Sequence, residues 1–339
     1  MTPAIFGLSG LTLTDDEKAF FADCDPVGYI LFARNCQDKE QLRALTDSLR
    51  AIHGRDRLIV SIDQEGGRVR RMKPPVWLDH PAGGAYAALY RLAPASAIEA
   101  ARVGAELIGR ELAEVGITVD FHPPLDLPQP GAHDVIGDRA LGTDPMQVAA
   151  LGRAILDGLG RSGVVGCIKH MPGHGRSTTD THKAMPTVTA SAAELEHDIA
   201  PFKALASTPL GMTGHLLFTA WDPDNPATLS SKVISEVIRG AIGFDGLLLT
   251  DDIDMEALSG SVPDRAERAV AAGCDVVLNC WARMDEMTAI AARLPALSRE
   301  GRKRLDRVHE AMTPRDAAGD GKDLLATRDA LLALVEARG

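Results

Sequence analysis

Eight short apolar runs recur along the chain, with amphipathic stretches between them. The runs are "AIFGL" (4–8), "GYILF" (28–32), "RLIVSID" (57–63), "ITVDFHP" (117–123), "VVGCIKH" (164–170), "LGMTGHL" (210–216), "GLLLTDD" (246–252) and "DVVLNC" (275–280). Their apolar residues are contiguous, as in parallel strands covered on both faces. Between them, "DKEQLRALTDSLRAIHG" (38–54), "ASAIEAARVGAELIGRELAEVG" (95–116), "PMQVAALGRAILDGLGRSG" (145–163) and "SAAELEHDIAPFKALAS" (191–207) read as amphipathic helices, several of them ending at a glycine. Eight strands alternating with helices predict an α/β protein of the (β/α)8 TIM-barrel type in preference to an open doubly wound sheet. No G-x-G-x-x-G follows any run, which weakens the dinucleotide-binding form of that alternative. No fixed-period repeat, low-complexity tract or Pro/Ser-rich linker divides the chain. The stretch "TPRDAAGDGKD" (313–323) only sets off a last helix at about 324–337, so residues 1–339 are read as a single barrel domain.

Composition narrows the partners. A hydrophobic share of 45% with 24% charged residues suits a chain of 339 residues that buries a large core. A net charge of −11 argues against nucleic acid as the main partner, because phosphate binding wants a basic face. The five cysteines (Cys24, Cys36, Cys167, Cys274 and Cys280) form no C-x-x-C pair, which fits reduced thiols better than a disulfide framework or a zinc site. The opening "MTPAIFGLSGLTLTDDEK" has no basic region and turns acidic where a signal cleavage site would follow. No apolar run approaches the ~18 residues of a membrane span. The expected location is cytoplasmic, with no membrane partner; the oligomeric state is left open, a monomer being favoured.

In a barrel, the C-terminal ends of the strands and the loops after them build the active site. Four runs end in polar residues there: Asp63, the pair Lys169 and His170, His215, and the pair Asp251 and Asp252. Taken singly, each has a plain structural reading. Asp63 and Asp252 are as readily caps of the following segments, Lys169 a surface residue, and His215 a satisfied rim histidine. His174, between two glycines, more simply holds its loop by hydrogen bonds, and Cys167 reads as a small buried residue. The loop "IKHMPGHGRSTTDTHKAMP" (168–186) is harder to explain that way, since it gathers three His, two Lys, one Arg and one Asp on an irregular segment. Within it, alternate residues of an extended "DTH" point to one side, so Asp180 can sit beside His182. A carboxylate on Nδ1–H fixes the tautomer and raises the imidazole pKa, making His182 a proton donor that can later act as a base.

The segments "KHMPGHG" followed by "DTH", and "VIRGAIGFDGLLLTDDIDM" further on, resemble glycoside hydrolase family 3, specifically its NagZ-type β-N-acetylglucosaminidases (β-hexosaminidases). "GYILFARN" (28–35), "SIDQEGGRVRR" (61–71), "DFHPPLDL" (120–127), "VIGDRALGTDP" (135–145) and "ATLSS" (227–231) extend the resemblance over nearly the whole chain. It implies a (β/α)8 barrel that removes terminal β-linked N-acetylglucosamine with retention and without a metal or other cofactor. Carried over by position, it makes Asp251 the nucleophile, His182 the acid/base and Asp180 its orienting partner. Asp63, Arg71, Arg139, Lys169 and His170 would bind the sugar. It further implies a small-molecule substrate, N-acetylglucosamine β-1,4-linked to 1,6-anhydro-N-acetylmuramic acid with or without a peptide, and a place in peptidoglycan recycling. The chain departs from the family at Arg176, Met171, Gly214 and Ala241, none of them a proposed catalytic residue.

The resemblance replaces the second carboxyl of most retaining glycosidases with a loop-borne histidine. On this reading "PGHG" is a hinge that lets "DTH" close over the sugar, and Glu65 is the next candidate for proton donor. Three rivals remain. One is a metal-dependent barrel hydrolase ligated by His170, His174, Asp180 and His182, although no H-x-H or H-E-x-x-H supports it. The others are a Schiff-base aldolase using Lys169 and a sugar-binding protein without turnover.

Overall fold

The computed structural model describes residues 1–131, 134–177, 185–315 and 321–336. Its centre is a ring of parallel strands: β1 (Thr2–Gly7), β2 (Pro26–Leu31), β3 (Ile59–Ile62), β4 (Val119–Asp120), β5 (Val165–Gly166 with Ile168–Met171), β6 (Leu210–Thr213), β7 (Leu247–Asp252) and β8 (Val276–Asn279). Every neighbouring pair is parallel, and β8 returns to β1 with Val277 opposite Ala4. The ring closes through β5, which changes partner at Cys167. Its first half pairs with β4, with Gly166 opposite Asp120, and its second half pairs with β6, with Ile168 opposite Gly211. One further bridge, Pro124 to Lys169, ties the end of β5 to the chain leaving β4. The expected (β/α)8 barrel is the fold observed.

The contiguous apolar runs follow from burial on both faces. Ile5, Ile30, Ile59, Val165, Leu247 and Leu249 point into the barrel, and their neighbours Phe6, Leu31, Val60, Ile168 and Leu248 pack outward beneath the helices. Truncating one such leucine to alanine costs about 2–5 kcal/mol. Helix Lys39–His53 shows how the outer layer is specified. Asp38 caps its start by accepting from the Gln41 N–H, Gly54 ends it at φ 60°, and Leu42, Leu45, Thr46 and Leu49 form the buried stripe. Helices Pro94–Glu114, Pro145–Arg161 and Ala192–Ala204 fall where the pattern placed them, within a few residues. Helix Arg299–Ala311 sends Leu305 and Val308 into the interior cluster and so plugs the barrel. The last helix, Gly321–Glu336, lies on Gly83–Leu92 and Pro94–Glu114. Among the described residues, no helix is long and apolar enough to cross a membrane.

Because all the strands run one way, their C-terminal ends share one rim. The inward files Ile59–Ser61–Asp63, Val165–Cys167–Lys169 and Leu247–Leu249–Asp251 each carry an apolar residue below and a charged residue at the mouth. In β7 the register against β8 shifts by one residue between Leu249 and Asp252, an irregularity of the kind that re-aims side chains at barrel rims.

Candidate active site

The loop after β3 is a tight turn built by its own sequence. The Glu65 N–H donates to Val69 O at 2.9 Å, and the Gln64 side chain binds the backbone at Arg71 and Met72. A Cβ on Gly66 would collide with the Pro81 carbonyl, and the residue sits at φ 94°, so only glycine fits. The turn returns Glu65 and Arg71 to the barrel mouth beside Asp63. There Lys169 Nζ reaches Asp63 Oδ1 at 2.9 Å and Glu65 Oε1 at 2.8 Å. Arg71 closes on the other Asp63 oxygen at 3.0 Å, and Arg139 grips Glu65 with two bonds of 2.7 and 2.9 Å.

These charges set one another. Burial pushes the Asp63 and Glu65 carboxyls up, but Lys169 with Arg71, and Arg139 with Lys169, hold them below their ordinary values, Glu65 well below. Burial would lower the Lys169 pKa, yet the two carboxylates raise it above its usual value. Lys169 is thus held as a cation by two carboxylates, which counts against a neutral amine of the Schiff-base kind. Glu65, paired with two cations, is held as a carboxylate, which counts against it as the reserve proton donor.

On the β5 side, Asp126 organises the loop. It accepts from His170 Nδ1 at 2.7 Å and from the backbone N–H groups of His170 (3.2 Å) and His174 (2.7 Å). Although burial favours the neutral acid, His170 and these donors keep Asp126 a carboxylate, so His170 Nδ1 carries a proton. His174 stacks edge-on against His170 with ring centroids 5.6 Å apart, and burial pushes its pKa down to about 4. Its backbone bond to Asp126 matches the loop-holding reading. Gly175 is glycine for lack of room, since a Cβ would strike the Leu127 carbonyl. Next to it, Arg176 is clamped to Asp198 of helix Ala192–Ala204 at 2.5 and 3.3 Å. On the far side, Leu217 N–H donates to Pro186 O at 2.9 Å, and Thr187–Val188 pairs with Leu217–Phe218. Both flanks of the intervening segment are therefore fastened. Asp180 and His182 themselves lie outside the described residues.

At the end of β7 two adjacent carboxyls are driven apart. Asp251 Oδ1 accepts the Asp252 N–H at 2.8 Å. Burial raises the Asp251 pKa, but the imidazoles of His170 and His215 and that N–H bring it below its normal value. Burial and Asp254 beside it push the Asp252 carboxyl up. The two environments thus favour the anion at Asp251 and the neutral acid at Asp252. His215 is a satisfied rim histidine, with Nε2 donating to Asp252 O at 2.9 Å and Nδ1 2.8 Å from Thr228 Oγ1.

Asp63, Arg71, Arg139, Lys169, His170 and Asp251 all line one cavity of about 220 Å3 at the barrel mouth. That is small beside the roughly 300–1,000 Å3 of common ligand pockets. Among the described residues no group of three or more His, Cys, Asp or Glu is arranged to hold a metal ion. Asp126, which orients His170, is absent from the residues singled out in the sequence.

The comparisons agree with this geometry. The sequence pattern of the Glycosyl hydrolase family 3 N terminal domain matches residues 9–313. A β-hexosaminidase of Alkalilimnicola ehrlichii is 38% identical over 312 residues, 91% of this chain and 88% of its own. One from Chromobacterium violaceum is 37% identical over 338 residues, covering 96% and 91%. The crystal structure of NagZ from Neisseria gonorrhoeae in complex with N-trifluoroacetyl-D-glucosamine superposes with a TM-score of 0.87 at 31% identity, covering 98% of both chains. The chain belongs to glycosyl hydrolase family 3, among its β-hexosaminidases, and is a glycoside hydrolase.

Proposed function

We propose that the enzyme is an exo-acting, retaining β-N-acetylglucosaminidase with Asp251 as nucleophile and His182, oriented by Asp180, as acid/base. The observation that carries this reading is the place of Asp251 at the end of β7, on the wall of the cavity that Asp63, Lys169 and His170 also line, with its carboxyl held below its ordinary value while that of Asp252 is raised. Pairs of carboxyls whose environments separate their pKa values mark acid and base roles. Asp251 attacks the anomeric carbon from one face while the leaving oxygen takes the proton of His182. A covalent glycosyl-enzyme results, water attacks it with His182 now as base, and two inversions give retention. Lys169 bridges the Asp63 and Glu65 carboxylates, while Arg71 pairs with Asp63 and Arg139 with Glu65, giving an array of fixed donors and acceptors for sugar hydroxyls. His170, held through Nδ1, leaves Nε2 for the ligand.

We extend the proposal to a cytoplasmic monomer acting on 1,6-anhydro-N-acetylmuramyl muropeptides in peptidoglycan recycling. Its support is the likeness to NagZ. The test is a panel of p-nitrophenyl β-glycosides. Hydrolysis of the N-acetylglucosaminide should far exceed that of the glucoside and xyloside, and should persist in EDTA. Equal rates on the three sugars, or loss of activity in chelator, would sink the proposal.

A second reading is favoured by one observation. Asp252 also lies on the cavity wall, and burial with Asp254 beside it favours its neutral acid, so it could supply the proton. Asp252→Asn would then show the leaving-group dependence expected of His182→Ala, and His182→Ala would not.

A further inference from the structure

A second depression of about 410 Å3 opens beside the Asp251 cavity. The two share Phe32, Asp252, Met255 and Cys280 as common wall, so they form one continuous surface. The outer depression continues onto Trp281, the residue after Cys280 where the chain leaves β8. Trp281 is 58% exposed, whereas Trp77 is buried. A single exposed apolar side chain is ordinary in itself; Trp281 is set apart by its place, because it lines the depression that shares a wall with the Asp251 cavity.

Trp281 is also braced. The Arg283 guanidinium carbon lies 5.6 Å from its ring centroid, and Arg283 is itself tied to Glu286 at 3.1 Å. Between them Ala282 sits at φ 55°, a left-handed conformation that residues bearing a side chain seldom adopt. Asp254 fixes the approach by accepting from Asn279 Nδ2 at 2.9 Å and from the Cys280 N–H at 3.1 Å. The indole is therefore held in place by its neighbours. The lining mixes Arg34 and Arg283 with Asp254 and Glu256, so neither sign of charge dominates. Recognition there falls to the ring: the weakly positive C–H face of a pyranose suits the negative π face of an indole.

We propose that Trp281 is the platform on which the leaving-group sugar stacks while the terminal residue occupies the cavity at Asp251. The inference rests on the β-N-acetylglucosaminidase reading and adds a residue that selects the leaving group.

The test compares two substrates with the same terminal sugar, chitobiose and β-N-acetylglucosaminyl fluoride. Only the first has a sugar to stack. Trp281→Ala should lower kcat/KM for chitobiose by roughly tenfold, the scale of one lost aromatic contact, and at least five times more than for the fluoride. Trp281→Phe should recover most of the loss on chitobiose. With the fluoride, added N-acetylglucosamine should speed wild-type turnover by accepting the glycosyl group, and Trp281→Ala should blunt that gain. Losses equal on the two substrates, or absent from both, overturn the platform in an active enzyme. A wild type that leaves both substrates intact overturns the activity reading and the platform with it.

Discussion

Removing the charge of Lys169 tests the mutual support at the barrel mouth. In Lys169→Met the half-buried carboxylate of Asp63 and the buried one of Glu65 lose their shared cation, at 2.9 and 2.8 Å, and keep only Arg71 and Arg139 respectively. Breaking a buried ion pair from one side costs about 3–5 kcal/mol, and the remaining arginines argue for the lower end. With ~2.1 cal/mol/K of unfolding entropy per residue, the 339 residues of this chain convert ~3 kcal/mol into a Tm drop of about 4 °C. Loss of a charged hydrogen-bonding group from the cavity, worth about 1.5–3 kcal/mol, should lower kcat/KM by roughly 10- to 100-fold. The pH dependence has a definite sign. Both carboxyls are held below their ordinary values in the folded chain. They therefore add stability above the unfolded pKa near ~4, and lose it as pH falls through their folded values. The Lys169→Met variant gives up much of that contribution at neutral pH, so the Tm gap should hold from pH 7 down to about pH 4 and narrow below it as the carboxyls protonate. Differential scanning calorimetry across this range, with kinetics on the N-acetylglucosaminide, measures both effects. A gap under about 1 °C at pH 7, or one that widens in acid, would refute the reasoning.

Two further outcomes bear on the catalytic roles. Asp251→Ala should nearly abolish turnover at an unchanged Tm, and a 2-deoxy-2-fluoro inactivator should label Asp251 in the wild type; peptide mapping of the label to Asp252 would reverse the choice between them. Asp180 and His182 should act as one device, so the double alanine variant should be little worse than His182→Ala alone, whereas multiplying losses would separate the two.

Much of the fold was legible because parallel strands bury both faces. That requirement left uninterrupted runs such as "GLLLTDD", and the same runs announced their own ends by turning charged. Strand limits were less legible. The run 117–123 shrinks to Val119–Asp120 as the regular ladder, because the chain then turns through Pro123 and Pro124 to meet β5. At the site, alternation alone aims Asp63, Lys169 and Asp251 inward, which is why strand-end residues could be named from sequence. What they bind in the resting enzyme could not. Arg71, Arg139 and Lys169 read as sugar ligands, yet each is engaged by Asp63 or Glu65. That pairing joins β3 to β5, and it joins Glu65 to an arginine 74 residues further along the chain. Asp126 and its hold on His170 depend on the same long-range closure.

The central claim is that Asp251 attacks while His182 donates the proton, and leaving-group dependence tests it most directly. A dinitrophenolate departs with little protonation, whereas a sugar alkoxide requires a proton in the transition state. His182→Ala should lose roughly 10²- to 10⁴-fold on chitobiose or a muropeptide and far less on the dinitrophenyl glycoside. Added azide should then speed turnover of the activated substrate and yield a β-glycosyl azide, the retained configuration reporting two inversions at the anomeric carbon. A loss by the same factor on every leaving group, with no azide product, would contradict the account and leave His182 holding the sugar while another group supplies the proton.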